Sequence, residues 1–131
     1  MAVVDKAGTP SLASTLPPQS STIAGLRAGE DIAAGDLCYI ADDGTVKQSD
    51  GTASDAKAKC DGIALVAADT GEAVTLYFDV NVRYGSGLTP GARFYVSATA
   101  GALEDSATTG GEEPVAMAID SSRIRVWQSR Y

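Results

Sequence analysis

The strongest constraint on what this chain can fold into is a phrase that occurs twice. Residues 88–103 read Leu-Thr-Pro-Gly-Ala-Arg-Phe-Tyr-Val-Ser-Ala-Thr-Ala-Gly-Ala-Leu, and residues 32–46 read Ile-Ala-Ala-Gly-Asp-Leu-Cys-Tyr-Ile-Ala-Asp-Asp-Gly-Thr-Val. Gly35 aligns with Gly91, Tyr39 with Tyr95 and Ile40 with Val96 at one offset; Gly44 and Val46 align with Gly101 and Leu103 one residue further on. Each copy has a Gly turn, a short apolar strand, a second Gly turn and a return strand. Pro presets φ for the second position of a turn and Gly accepts positive φ, so each copy reads as a β-hairpin. The match continues downstream. Residues 63–67 align with 115–119, and residues 74–78 align with the last strand, in which Ile124 stands against Val74 and Val126 against Leu76. A tandem-duplicated β unit is therefore expected, with pseudo-repeats at about 32–78 and 88–127.

The rest of the chain supports short strands joined by tight turns. Fourteen glycines and an aromatic content of 6% suit small side chains at close turns. Val74, Leu76 and Phe78 alternate with Thr75 and Tyr77, and residues 79–84 carry the alternation on through Val80 and Val82. Residues 62–67 form an apolar run of strand length, which predicts burial on both faces. No stretch has the period of a long amphipathic helix. The predicted fold is all-β, a small barrel or sandwich, and at this length one domain buries roughly two thirds of its unfolded surface.

Residues 1–22 stand apart. Ser, Thr and Pro dominate from Thr9 to Thr22, and Pro17-Pro18 favours an extended path. Such a segment has no periodic apolar face with which to offset its ordering entropy. It reads either as a tail or as an extended arm that orders on a neighbouring subunit. In the second case Val3, Val4, Leu12, Leu16, Pro17, Pro18 and Ile23 are its contact residues. Residues 23–131 then form the β domain.

Catalytic equipment is sparse in the sequence. The chain contains no histidine, so the commonest general base and metal ligand is missing. Cys38 and Cys60 have no Cys-x-x-Cys or His partner, and both sit in apolar runs where a small buried thiol is expected. Asp42-Asp43-Gly44 is accounted for by its turn, and Glu112-Glu113 by a solvated loop. No cofactor or metal site is predicted. A net charge of −7 disfavours nucleic-acid binding. No basic region followed by an apolar run opens the chain, and no apolar run approaches the ~20 residues of a membrane-spanning helix. Synthesis in a cytoplasm, with reduced thiols, is expected. The cations Arg123, Arg125 and Arg130 gather near the C-terminus with Trp127 and Tyr131, and Arg123 and Arg125 share a strand face opposite Ile124 and Val126. Arg with Trp and Tyr is a composition favoured at protein contacts. These residues point to a binding or structural protein and not to an enzyme.

One series of motifs carries a resemblance: Ala28-Gly29-Glu30-Asp31-Ile32-Ala33-Ala34-Gly35-Asp36, Tyr39-Ile40, Asp43-Gly44-Thr45-Val46, Gly62-Ile63-Ala64, Gly71-Glu72-Ala73-Val74-Thr75-Leu76, the second phrase at 88–103, and Pro114-Val115-Ala116-Met117-Ala118-Ile119-Asp120. In order and spacing these motifs resemble the capsid cement, or head decoration, proteins of tailed bacteriophages, over about residues 23–127. The resemblance implies a non-enzymatic virion protein that binds the outside of the head. It further implies the major capsid protein and other copies of itself as partners, commonly as a homotrimer with N-terminal arms clamping neighbours. A different class of reading is a receptor- or carbohydrate-binding module of a head or tail fibre, for which Tyr77, Tyr84 and Trp127 are the candidate aromatic platform. A carboxylate-only hydrolase is the remaining alternative.

Overall fold

The computed structural model describes residues 3–13, 21–52 and 56–129. Leu16, Pro17, Pro18 and Tyr131, four of the expected contact residues, lie outside them. The described chain is all-β, with a 3-10 turn at Ala56–Ala58. No helix among the described residues is long and apolar enough to cross a membrane.

The strands are β1 Ser11–Leu12, β2 Thr22–Ala28, β3 Leu37–Ile40, β4 Thr45–Gln48, β5 Gly62–Ala64 and β6 Ala73–Tyr77, then β7 Val80–Arg83, β8 Arg93–Val96, β9 Leu103–Glu104, β10 Ala116–Ala118 and β11 Arg123–Val126. The first half closes into a barrel in the order β2-β4-β3-β5-β6. Its closing contact is parallel, with Arg27 opposite Thr45 and Ala28 opposite Val46. The second half forms a six-stranded sheet in the order β1-β7-β11-β10-β8-β9. Written from the hairpin outward, β4-β3-β5-β6-β2 corresponds strand for strand to β9-β8-β10-β11-β7. The two halves therefore share one topology, and they differ in how the last gap is covered.

In the second half that gap is covered by the N-terminal segment. Ser11 and Leu12 pair antiparallel with Arg83 and Val82, and Val3 bridges Glu104 on the opposite edge of the sheet. Val4 N–H donates to Leu103 O at 3.0 Å, Ala7 N–H to Tyr84 O at 2.9 Å and Ala13 N–H to Asn81 O at 2.8 Å. Pro10 is fully buried, and Val4 and Leu12 pack against the core. Residues 3–13 thus differ from the expected tail or neighbour-seeking arm. Unpaired edges of β7 and β9 offer backbone donors and acceptors, and this segment satisfies them within its own chain.

The core explains why β3 and β5 read as continuous apolar runs. Leu37 and Ile63, opposite one another across these strands, pack with Val82, Phe94 and Ile124 of the larger sheet. Their neighbours Cys38 and Ala64 pack with Val46 and Leu76 inside the barrel. Successive strand residues face opposite ways, so both faces of β3 and β5 are covered. Burial does not extend along the whole run predicted for 62–67, because Val66 is 75% exposed. Past Ala64 the chain leaves the sheet, and the bridge between Ala68 and Ile32 restores order.

Close backbone approach joins the halves. Gly101, at φ 78°, donates to Ser49 O and accepts from Leu37 N–H, and a Cβ there would stand 2.7 Å from the Asp36 carboxyl carbon. The loop after β4 carries buried residues. Ser49 is buried with its hydroxyl donating to Lys59 O at 2.6 Å, and Gly51 N–H donates to Ser97 O at 2.8 Å. Glu104 is buried on β9, where it accepts the Ser97 hydroxyl at 2.6 Å.

Candidate functional site

The feature that concentrates chemistry is the outer face of the larger sheet. On β7, β11, β10 and β8, Val80, Val82, Ile124, Val126, Ala116, Ala118, Phe94 and Val96 are buried. The two-residue period then turns Asn81, Arg83, Arg123, Arg125, Met117 and Arg93 outward. Strand register sets them in two rows. Arg83 stands opposite Arg123, while Asn81, Arg125, Met117 and Arg93 follow one another across four strands. Neighbouring strands lie about 5 Å apart, so four guanidinium groups share a patch about 15 Å wide. Four of the ten cationic side chains of the chain are on this one face.

Their local partners are few. Asp120 accepts Ser122 N–H at 3.0 Å, Arg123 N–H at 2.8 Å and Arg123 Nε at 2.7 Å. These backbone and guanidinium donors hold its carboxyl down at about 2, and they commit Arg123 to the turn. Arg125 Nη1 reaches Asn81 Oδ1 at 3.3 Å, and Arg93 Nη1 reaches the Met117 sulfur at 3.1 Å. Both acceptors are neutral. Arg83 is exposed at the end of β7. Arg83 stands opposite Arg123, whose charge Asp120 already meets, so of this pair Arg83 is the one with no carboxylate partner among the described residues.

Trp127 continues β11 at the edge of this face. It is half-buried, and its indole N–H donates to Pro114 O at 3.1 Å. Shallow depressions flank it, one lined by Glu113, Pro114 and Gln128, the other by Asp79, Gln128 and Ser129. Gln128 Nε2 donates to Asp61 O at 3.0 Å and Ser129 N–H to Cys60 O at 2.8 Å, which pins the C-terminal end to the barrel.

The other expected site residues are dispersed. Val3 is 42% exposed at the edge of β9, and Ile23 packs against the barrel core. Tyr84, proposed for an aromatic platform, is 1% exposed, which removes it from any such surface. Its hydroxyl has no hydrogen-bond partner among the described residues, and burial raises its pKa. Lys6 Nζ lies 5.9 Å from the centre of the Tyr84 ring and 3.9 Å from Asp36. Cys38 and Cys60 are free and buried. Desolvation pushes both thiols up, Cys60 to about 12, so neither is an activated nucleophile. Asp43 accepts the Thr45 hydroxyl at 2.6 Å and its N–H at 3.0 Å, and these bonds lower its pKa within a turn. Among the described residues no group of three or more Cys, Asp or Glu is placed to hold a metal ion.

The sequence reading found Arg123 and Arg125 but missed Arg83, Arg93, Asn81 and Met117. Alternation in Val80-Asn81-Val82-Arg83 and in Arg93-Phe94-Tyr95-Val96 turns each of these arginines outward. What was lacking was the strand order that brings them beside β11. Among known proteins, no family model matches this chain, and no curated protein matches it either.

Proposed function

We propose that the chain is a non-enzymatic capsid decoration, or cement, protein of a tailed phage. In this reading it sits on the outer surface of the head as a homotrimer, contacts the major capsid protein and other copies of itself, and stabilises the shell. The observation that carries the reading is the arginine face: cations, Met117 and the edge Trp127 displayed on a rigid sheet. Arg, Met and Trp are enriched where proteins meet, and a sheet fixes their spacing without an ordering cost on contact. The motif series described above points the same way. Residues 3–13 are held by the chain's own sheet, so the contact surface in this reading is the sheet face and not that segment.

The test is the thermal stability of heads that lack their decoration protein, followed by calorimetry with and without the purified chain. Wild-type protein is expected to raise the head melting temperature. The Arg83→Glu/Arg125→Glu variant, checked for native circular dichroism, is expected to raise it less. Heads whose melting is unchanged by saturating wild-type protein would overturn the proposal.

A further inference from the structure

The charge of this protein is divided between its halves. Residues 21–79 hold eleven Asp and Glu against four Lys and Arg, a net −7, whereas residues 80–131 hold five of each. The whole net charge therefore belongs to the barrel half, while the other half gathers four arginines on one sheet face. Within the barrel half, exposed carboxylates converge on the turn before β6. Asp31 accepts Thr70 N–H at 2.9 Å and the Thr70 hydroxyl at 3.1 Å, and Glu72 accepts Asp69 N–H at 2.7 Å. Val66, the most exposed large apolar side chain described, lies two residues before the Ala68–Ile32 bridge that holds the base of this turn. One basic group is engaged there, Arg27, whose Nη1 reaches Gly71 O at 3.4 Å.

We propose that the arginine face docks a second copy of this chain, through the acidic turn of the partner's barrel half. On the decoration reading, on which this pairing rests for its setting, it names the occupant of the face. Charge complementarity selects that occupant. Arg83 and Arg125 lack a carboxylate partner among the described residues, Arg83 opposes another arginine, and the chain's own surplus of carboxylates lies in its other half. A carboxylate brought to Arg83 or Arg125 would give each the partner it lacks, and guanidinium groups take carboxylates in two-point geometry. Met117 offers Val66 an apolar neighbour within the same patch. The surfaces that meet are different ones, so the contact is head to tail. Such a contact leaves the pair with one free face and one free turn, and it propagates until the rotation closes a ring.

Charge exchange tests this. Oligomeric state is measured by size-exclusion chromatography with light scattering for the wild type, for Arg83→Glu/Arg125→Glu, for Asp69→Lys/Glu72→Lys, and for an equimolar mixture of the two variants. All four substituted positions are exposed, and circular dichroism checks each fold. The wild type is expected to associate at low salt and to dissociate as salt screens the contact. Each variant alone is expected to lose about tenfold or more in self-affinity, and the mixture to recover association. A wild type that stays monomeric, or an oligomer indifferent to both variants, would overturn the pairing. Head binding by such a monomer would leave the decoration reading standing while the pairing failed; charge-dependent self-association without head binding would do the reverse.

Discussion

At the scale of single residues, stability turns on side chains that two layers share. Ile63 is fully buried and packs with the larger sheet although it belongs to the barrel. Ile63→Ala is expected to cost about 2–5 kcal/mol, because the cavity opens between two sheets that cannot both collapse onto it. A shift in the denaturant midpoint of less than about 1 kcal/mol equivalent would contradict the shared-core description. Tyr84 presents the opposite case. Its ring fills the core, but among the described residues its buried hydroxyl has no well-formed hydrogen bond, so Tyr84→Phe is expected to leave stability within about 1 kcal/mol or to raise it. A loss of about 2 kcal/mol or more would mean that the hydroxyl has a partner. Titration adds a pH dependence. Burial raises Cys38, Cys60 and Tyr84 in the folded chain, so the unfolded state releases their protons first as pH rises. Their stabilising effect is complete below the ordinary thiol value of 9.0 and is lost progressively as pH climbs from there toward about 12. Denaturant midpoints measured across that range should fall. The same burial predicts that a thiol reagent at pH 8 labels the unfolded chain quickly and the folded chain slowly.

At the scale of elements, residues 3–13 behave as the missing strand of the second half. Removing residues 1–13 exposes the edges of β7 and β9 together with part of the core under Val4, Pro10 and Leu12. Burial of those side chains suggests a loss of about 2–4 kcal/mol from the domain itself. Unchanged unfolding after the deletion would show that the segment is dispensable to the fold. This element was poorly legible in the sequence, since a two-residue strand such as Ser11–Leu12 is too short to show alternation. Its partner β7 is about seventy residues away in the chain. The duplicated hairpins were legible because each carries its own turn glycines and its own apolar period. Arg123 and Arg125 could be placed on one face by local alternation. Arg83 and Arg93 alternate as clearly, yet their meeting with β11 depends on a strand order that no local pattern encodes. Val66 misled because an apolar run gives no sign of where the sheet ends.

At the scale of the whole molecule, one topology is used twice to different ends. The first half closes on itself through β2 and β4 and carries the net negative charge. The second half borrows the N-terminal segment and displays its cations on an open sheet face. On the decoration reading, the cationic face and the acidic half are the two surfaces proposed to bring copies together. Co-sedimentation of the purified full-length chain with expanded heads lacking their decoration protein tests this most directly. The expected result is saturable binding that weakens with salt and is reduced in the Arg83→Glu/Arg125→Glu variant. No sedimentation of the wild-type chain with heads, at any concentration and at low salt, would contradict it.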